Sequence, residues 1–451
     1  MAQLLVLTRG LKGLLYASLE LARRLEADGH SIHVATLKPS AEAVAAYGFP
    51  YTALNPAVSP ETVPPRQGSW WQAWRTQRAR RQRIIDQWEL PRFAALLDEV
   101  NPDLLLIDFE MHPYLMLARA RGVHTAQIST FFSIYERPGL PLMHTDTVPG
   151  VGEAGTPTAM TQAWRQLQRT RRRRRLQERF RRAGGDRVSM FRHVAEQVGF
   201  SFEGEVDFDQ WVIPLTYRTI PHFSLHAQEL DLPHDPHPAH RYLGPMVSTQ
   251  RASTHAEPGV DERLQALYEG RSQDPTSRLI LCTLSTFISL DARFMRQLVE
   301  MARLRSHWTI ILSVGGLPTN DVTSLSPPAN LHVFSWLPTA QVLAQADAMI
   351  MTAGTNTINE ALQAGVPSVV YSVGKNNQEG NAARVAFHRL GVVGSMQRDD
   401  ALAIAGRVEE ALTDATLHAN IASMQRVFAR YTASRHAERL IADYLATGPQ
   451  A

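Results

Sequence analysis

The 451 residues of this chain include a single cysteine, Cys282, and few long apolar runs. One thiol excludes an intrachain disulfide framework or a cysteine zinc site, and its place in an apolar run fits a reducing compartment. No apolar segment approaches the roughly 18–20 residues that a membrane-spanning helix needs. The apolar residues of MAQLLVLTRG follow no positively charged segment, so they predict a first β-strand rather than a signal peptide. The sequence therefore predicts a cytoplasmic globular protein.

Lysine is almost as scarce as cysteine. Of the 46 lysines and arginines, only Lys12, Lys38 and Lys375 are lysines, although the net charge is close to neutral at +3. A GC-rich genome explains the preference for arginine. Against that background a retained lysine indicates a point-charge role, and Lys12 and Lys375 both fall in loops that we place at a cleft between two domains.

Hydrophobic periodicity predicts an α/β fold. Strands at 4–8 and 32–37 flank a helix at 14–27, which is a βαβ unit at the start of a parallel sheet. A second unit begins with a strand at 279–284. The sequence therefore predicts two Rossmann-like, doubly wound domains that face a cleft.

The predicted domain boundaries follow composition. The N-terminal domain covers 1–235 and the C-terminal domain covers 261–451, ending in helices of which the last folds back on the first half. Between them, residues 236–260 are rich in proline, serine and threonine and predict a linker. A buried strand that ends at Asp108 directs this carboxylate to the crevice where open parallel sheets bind ligands.

An arginine-rich segment interrupts the N-terminal domain as a helical insertion at about 160–185. Residues 165–182 hold ten arginines and one acid, Glu178, and the tryptophan-containing segment 70–83 is basic as well, above all at 75–83. Such runs are most often solvated helix faces. The functional alternatives are a membrane-surface or anionic-substrate patch and a nucleic-acid site, and the near-neutral total weakens the last.

A strand–turn–helix sequence in the second half is the most informative motif. An apolar run at 348–351 ends at Thr352, and the small residues 353–356 precede a predicted helix with Thr357 and Glu360 in its first turn. Such a turn leaves backbone N–H groups at a helix N-terminus, where a phosphate binds favourably.

The stretch 334–384 resembles the nucleotide-sugar signature of the family-one (UDP-glycosyltransferase-like) glycosyltransferases, in particular the bacterial carotenoid and macrolide branch. The resemblance implies the GT-B architecture, a UDP- or dTDP-linked sugar as donor, no metal and no further cofactor. It assigns these residues to the donor site: Thr286, Trp336, Thr352, Gly354, Asn356, Thr357, Glu360, Asn377 and Gln378.

The roles implied for these residues differ. Trp336 matches the aromatic residue on which the base stacks, and Glu360 matches the carboxylate that accepts hydrogen bonds from the ribose. A core tryptophan and a helix-capping glutamate would give the same pattern. Asn377 and Gln378 match the pair that holds the sugar hydroxyls.

Three positions depart from the family pattern. Thr352 stands where the family has a histidine that contacts phosphate, and Asn377 replaces an aspartate. Leu14 stands at the position of the histidine that deprotonates the acceptor, and leucine cannot take a proton.

The missing histidine leaves the identity of the base open. Asp108 matches the aspartate that normally orients the histidine and becomes a candidate base, as do His112 and Glu110. Lys12 and Lys375 are candidates for charge contacts with the diphosphate.

The predicted function is transfer of a sugar from the nucleotide sugar to a hydroxyl of a small, lipidic or natural-product acceptor, with inversion. The alternative is a catalytically degenerate GT-B protein that binds a nucleotide sugar or a partner without transfer. An epimerase or hydrolase of nucleotide sugars is a third hypothesis. Contact with the inner face of a membrane is predicted through the arginine-rich segments, and no nucleic-acid partner is expected.

Overall fold

Two parallel sheets form the framework of this computed structural model. The structure describes residues 1–10, 12–55, 69–208, 210, 215–248, 259–272, 276–284, 292–315, 320–374 and 377–448.

The N-terminal domain is built on the first sheet. Its described strands are β1 (Gln3–Thr8), β2 (Ser31–Leu37), β3 (Tyr51–Leu54), β4 (Leu104–Asp108), β5 (Thr125–Ser129), β6 (Val206–Asp207), β7 (Thr216–Tyr217), β8 (His222–Ser224) and β9 (His240–Tyr242). Its described α-helices are α1 (Lys12–Ala27), α2 (Ala41–Ala45), α3 (Trp70–Asp86), α4 (Leu90–Val100), α5 (His112–Ala120), α6 (Pro157–Arg181), α7 (Arg187–Val198) and α8 (Phe202–Glu205).

The C-terminal domain repeats this plan. Its described strands are β10 (Arg278–Thr283), β11 (Trp308–Ser313), β12 (Leu331–Phe334), β13 (Ala348–Thr352), β14 (Ser368–Tyr371) and β15 (Val392–Gly394). Its described helices are α9 (Val260–Ser272), α10 (Ala292–Leu304), α11 (Asn320–Thr323), α12 (Thr339–Leu343), α13 (Thr355–Ala364), α14 (Gln378–Phe387), α15 (Ala401–Thr413), α16 (Ala415–Ala433) and α17 (His436–Thr447).

Both main sheets are doubly wound. The first runs β3-β2-β1-β4-β5-β8-β9, and the second runs β12-β11-β10-β13-β14-β15. Neighbouring strands in each are parallel, for example β1 with β4 and β10 with β13. The order reverses beside β1 and beside β10, which is where doubly wound sheets form their ligand crevice. The predicted fold class is confirmed.

Strand formation follows from sequence. The strands β4 and β13 are buried along their whole length, and their continuous apolar runs are typical of strands that are covered by helices on both faces. Helix α1 ends before Gly29, whose φ of 91° suits a residue without a Cβ and turns the chain into β2.

Two boundaries differ from the sequence expectation. Strand β9 pairs with β8 and extends the first sheet into the range predicted as linker. Helix α13 begins at Thr355, two residues before the predicted start, because Gly354 already serves as its N-cap.

The last helix packs on the N-terminal domain, as the sequence predicts. Ala437 and Ile441 of α17 are buried in the core that α1 forms with the first sheet. The ring of Tyr444 stacks on His124 with centroids 4.0 Å apart, and its hydroxyl donates to the carbonyl of Thr125 at 2.9 Å. The chain therefore crosses between the domains a second time, just before α17.

Candidate functional site

The carboxyl ends of the two sheets meet across the interdomain cleft. Thr355, in the first turn of α13, donates its hydroxyl hydrogen to the carbonyl of Thr130, which follows β5, at 3.0 Å. The side-chain amide of Asn356 donates to the carbonyl of Gly13 in the first turn of α1. The turn predicted to bind phosphate therefore lies directly against the first βα loop of the N-terminal domain.

Asp108 lies at the carboxyl end of β4, on the other side of that loop. Its Oδ2 accepts a hydrogen bond from the N–H of Arg9 at 3.2 Å, and its Oδ1 accepts one from the N–H of Glu110 at 3.0 Å. The residue is only 2% exposed. Burial raises the pKa of Asp108 to about 7, against a smaller lowering by the hydrogen bond and the charge of Arg9. A carboxylate with this pKa is a far better base at neutral pH than an exposed aspartate.

The other two base candidates have different surroundings. Glu110 forms an ion pair with Arg9. His112 is fully buried, and its Nδ1 lies 2.9 Å from the hydroxyl of Tyr217 while its ring packs edge-on against Phe191 of α7. These contacts place His112 in the core beneath α5, which disfavours direct contact with an acceptor. Asp108 and Glu110 both contact Arg9 of the first βα loop, and Asp108 is the one of these two whose pKa is raised towards neutrality.

Two further sequence positions lie in the same region. Leu14, which occupies the family's histidine position, is buried in the core formed by α1. Lys12 is the first residue of α1. Its backbone therefore lies one residue from Gly13, the acceptor of the Asn356 amide.

The turn between β13 and α13 is tight. The N–H of Gly354 donates to the carbonyl of Thr352 at 2.6 Å, and Gly354 gives α13 no side-chain cap. Thr352 is buried at the end of the strand, and Thr357 is half-buried in the first helical turn. The backbone N–H groups in the first turn of a helix have no partner within the helix. They give its N-terminus a positive partial charge, which favours an anion at this position.

Trp336 and Glu360 flank this turn. Trp336 is half-buried and follows β12 at the edge of the second sheet, next to α12, which packs against α13. Glu360 is half-buried in the second turn of α13. The N3 position, from which a glutamate would close a capping box, is held by Thr357, so helix capping does not account for Glu360.

Asn377 and Gln378 open α14. Asn377 is the N-cap residue and is buried, and the side-chain carbonyl of Gln378 accepts from the N–H of Val373 at 3.3 Å. One turn later, Asn381 is fully buried and donates to the carbonyl of Ala353 at 2.8 Å. This bond fixes the start of α14 beside the turn between β13 and α13.

A buried ion pair joins the two domains next to these residues. Arg384 on α14 contacts Asp231 of the N-terminal domain, with its Nε 2.7 Å from Oδ1, and its guanidinium stacks over the ring of Phe132 at 4.6 Å. Burial by itself would raise the pKa of Asp231, but Arg384, His234 and hydrogen bonds from Tyr242 and Ser133 lower it below the usual value. The one signal of this pair in the sequence is an arginine among the apolar residues of the second half of α14, 382–387.

A second buried contact joins α13 to the N-terminal domain. The Nδ1 of His226 lies 2.9 Å from the side-chain amide of Asn359, and its Nε2 lies 2.7 Å from the carbonyl of Thr130. Since the carbonyl can only accept, Nε2 carries the hydrogen and Nδ1 accepts from Asn359. Burial lowers the pKa of His226 to about 4, so the ring is neutral at physiological pH.

Two predicted donor residues, Thr286 and Lys375, lie outside the described residues. Within the described part of the chain, no three histidine, cysteine, aspartate or glutamate side chains lie close enough together to hold a metal ion. Within the same residues, no helix combines the length and the apolar character needed to cross a bilayer.

Sequence comparison identifies the C-terminal domain. Residues 290–440 match the glycosyltransferase family 28 C-terminal domain. The chain is 32% identical over 149 residues to the NDP-glycosyltransferase YjiC of Bacillus subtilis (strain 168). That match covers 33% of this chain and 37% of the relative's length.

Solved structures match over the whole chain. The glycotransferase of kitacinnamycin has a TM-score of 0.71 at 20% identity and covers 98% of this chain and 99% of its own. The glycosyltransferase VinC in complex with dTDP has a TM-score of 0.59 at 14% identity, with 99% of both chains covered. The spinosyn rhamnosyltransferase SpnG, complexed with spinosyn aglycone, has a TM-score of 0.57 at 16% identity and covers 98% of this chain and 99% of its own. Residues 290–440 are thus similar to the family 28 C-terminal domain, and the whole chain has the GT-B fold, which confirms the resemblance predicted from its sequence.

Proposed function

We propose that this protein transfers a sugar from a nucleoside-diphosphate sugar to a hydroxyl group of a small hydrophobic acceptor, with inversion at the anomeric carbon. The observation that carries the proposal is that Asp108 and the N-terminal turn of α13 both contact the first βα loop, Asp108 at Arg9 and α13 at Gly13. This shared contact supports a base and an anion site at one cleft.

The reaction is a direct displacement. A lone pair of the acceptor oxygen forms a bond to the anomeric carbon while the bond from that carbon to the diphosphate oxygen breaks, and the bonding pair leaves with the diphosphate. The acceptor proton passes to Asp108. The helix N-terminus at Thr355–Thr357 stabilises the charge that develops on the diphosphate, and the cleft aligns both reactants. Attack from the side opposite the leaving group inverts the carbon.

The donor is a UDP- or dTDP-sugar in this proposal. Trp336 stacks on the base, Glu360 accepts hydrogen bonds from the ribose, and Asn377 and Gln378 bind the sugar hydroxyls. VinC was solved in complex with dTDP, which supports a nucleoside diphosphate as ligand of this fold. The proposed phosphate contacts also include Thr286, Lys12 and Lys375. Because Thr352 stands where the family has a histidine, stabilisation of the diphosphate charge depends more on the helix N-terminus.

The acceptor is proposed to bind in the N-terminal domain. The rhamnosyltransferase SpnG was solved with a spinosyn aglycone, and the glycotransferase of kitacinnamycin is likewise named after a natural product. Apolar side chains beyond the carboxyl end of β4, including Phe109, Tyr135 and Met143, form a small cluster next to Asp108. These side chains are buried in the structure, so the support for a hydrophobic acceptor, whether a natural product or a lipid, comes from the two natural-product enzymes.

The test replaces Asp108 by asparagine, which keeps the shape and removes the base. Release of UDP or dTDP from matching nucleotide sugars is followed with a panel of hydroxylated hydrophobic acceptors. We expect turnover to fall about 100-fold or more, with the dissociation constant of the nucleotide unchanged in calorimetry. Wild-type protein that binds neither UDP- nor dTDP-sugars would overturn the proposal.

A second candidate is a degenerate protein that binds the nucleotide sugar without transfer. The observation that favours it is the buried leucine at position 14, where the family has its base. Wild-type protein that binds the donor but releases no nucleotide with any acceptor, and that is indistinguishable from Asp108→Asn, would establish this alternative. Release of nucleotide without acceptor would point to a hydrolase instead.

The reaction is proposed to need no metal. Backbone amides stabilise the negative charge of the leaving diphosphate, and these amides remain in place when divalent cations are removed. Turnover measured in excess EDTA should equal turnover without it, and restoration of a lost rate by Mg²⁺ would contradict this part of the proposal.

A further inference from the structure

Helix α6 carries a solvent-facing stripe that the proposed reaction does not use. Helical spacing places five arginines and two apolar residues on one face, all of them exposed: Arg165, Arg169, Arg172, Arg173, Leu176, Arg179 and Phe180. We call these residues the α6 stripe. Leu176 is 69% exposed and Phe180 is 64% exposed, which is unusual for large apolar side chains one helical turn apart.

The opposite face of α6 anchors the helix. Trp164 is buried and donates its ring N–H to the carbonyl of Leu140 at 2.8 Å. Arg171 donates to the carbonyl of Gln210, and Arg175 lies over the ring of Phe208 at 4.2 Å. The inward arginines therefore hold the helix against the domain, while the exposed stripe faces the solvent.

The single acid of the segment does not neutralise the stripe. Glu178 lies on the inward side of the helix and pairs with Arg182, whose hydrogen bond holds the pKa of Glu178 below its usual value. The neighbouring helix α3 reaches the end of α6, where Arg81 donates to the carbonyl of Gly184 at 3.2 Å. On α3, Trp71 is 71% exposed and Arg83 is exposed as well.

We propose that the α6 stripe docks the protein onto an anionic phospholipid surface, with Leu176 and Phe180 inserted among the headgroups. Charge complementarity selects the partner, because a helix face that presents arginines and no acid attracts negative lipids. The two apolar side chains between the arginines favour a membrane, since the headgroup–acyl boundary receives aliphatic and aromatic side chains together with flanking arginines.

Docking on a membrane also indicates where the acceptor comes from. This part of the inference depends on the proposed transferase function. The buried end of α6 holds the loop at Leu140, and Met143 of the same loop contacts Gly380 at the start of α14, at the rim of the cleft. These contacts connect the docked helix to the loop that packs on α14, so that a docked protein takes a lipid-dissolved acceptor from the bilayer.

The experiment measures co-sedimentation of the full-length protein with two kinds of vesicle, phosphatidylcholine alone and an equal mixture with phosphatidylglycerol. We expect binding to the mixture only, and we expect it to weaken as salt rises from about 0.05 M to about 0.5 M. The double variant Arg169→Gln/Arg173→Gln should bind about 30-fold more weakly. The double variant Leu176→Ser/Phe180→Ser should bind about tenfold more weakly at unchanged salt dependence.

Matched controls lie on helices other than α6. Leu402 is 63% exposed on α15, and Arg426 and Arg439 are exposed on α16 and α17. Leu402→Ser and Arg426→Gln/Arg439→Gln should leave vesicle binding unchanged. Equal losses in the controls would overturn the proposal, because they would reflect general charge or hydrophobicity rather than the stripe.

Two further outcomes would also overturn it. One is equal binding to both kinds of vesicle. The other is absence of vesicle binding together with binding of an RNA duplex that the arginine variant loses and the leucine–phenylalanine variant keeps. Vesicle binding and RNA binding are both measured without donor or acceptor. A protein that transfers sugar to a soluble acceptor but does not bind vesicles would therefore contradict the docking proposal and leave the proposed transferase function intact.

Discussion

At the scale of single residues, the protonation of Asp108 controls the proposed reaction. Its pKa is raised to about 7 by burial, and only the ionised form can take a proton from the acceptor. We therefore expect the turnover rate to rise about tenfold per pH unit below pH 7 and to level off above it. The turnover rate of the wild-type protein, measured from pH 5 to pH 9 with the stability of the fold checked at each pH, should show this rise and plateau.

The same ionisation affects stability with the opposite sign. The folded pKa of Asp108 lies above the ordinary value of 3.8, so between about pH 4 and pH 7 the folded state holds a proton that the unfolded state has lost. The free energy of unfolding falls in this window as pH rises, by at most about 1.4 kcal/mol per pH unit from this group. Denaturation of Asp108→Asn should show a shallower fall than wild type, and an identical pH slope would contradict the raised pKa.

Glu360 tests the donor site at the same scale. Replacement by glutamine keeps its size but removes the charged acceptor that we assign to the ribose hydroxyls, so nucleotide affinity should fall about tenfold. Calorimetric titration with UDP and dTDP measures this loss. Exposed Glu409 on α15 is the control, because Glu409→Gln should alter no affinity although it removes an ion pair with Arg305.

At the scale of elements, the N-terminus of α14 depends on a glycine. A Cβ at Gly380 would overlap the backbone carbonyl of Met143 in the N-terminal domain, and neither backbone can yield without moving its element. We expect Gly380→Ala to lower the free energy of unfolding by about 1–3 kcal/mol and to reduce turnover, since α14 carries Gln378.

Gly406 offers the matched control for that substitution. It lies within α15, and a Cβ there would meet no atom within 4 Å. Gly406→Ala should stabilise the protein by about 0.5–1 kcal/mol because alanine is the better helix former. Chemical denaturation and steady-state turnover of both variants separate the two effects. Equal behaviour of the two variants would show that α14 does not depend on close approach to Met143.

Helices and strands can be predicted where the residues that indicate them are contiguous in the sequence. The apolar runs of β1 and β13 and the small residues before α13 are contiguous in sequence, so strand, turn and helix could be predicted together. The sequence places the three residues of β9 in the linker, because they lie among prolines and histidines. Only its pairing with β8, which sequence does not show, makes it part of the sheet.

At the scale of the whole molecule, the buried pair of Arg384 and Asp231 joins the two domains. Arg384→Ala leaves a buried carboxylate without its partner, so the free energy of unfolding should fall by about 3–5 kcal/mol. Arg389→Ala breaks an exposed pair with Asp414 and should cost far less, since solvent screens such a pair. Urea denaturation of the two variants provides the comparison, and equal losses would contradict a special role of the buried pair.

This pair also gives a pH dependence at the acid end. The folded pKa of Asp231 is lowered, so its contribution to stability is present above the ordinary pKa and is lost as pH falls through the folded value. The pair could not be predicted from sequence, since its members lie 153 residues apart. The same holds for the bond between His226 and Asn359, which are 133 residues apart. Contacts of this kind depend on how two domains dock, and the periodicity of either domain carries no signal for them.

The return of α17 to the N-terminal domain bears on how chimaeras of this protein must be built. Its helix is part of the core around α1, and Arg435 at its start pairs with Asp28 beyond the end of α1. A donor domain exchanged as one continuous C-terminal block would replace α17 with a helix shaped for another partner. Domain exchange should therefore use two junctions, one after β9 and one between α16 and α17, so that the recipient keeps its own last helix.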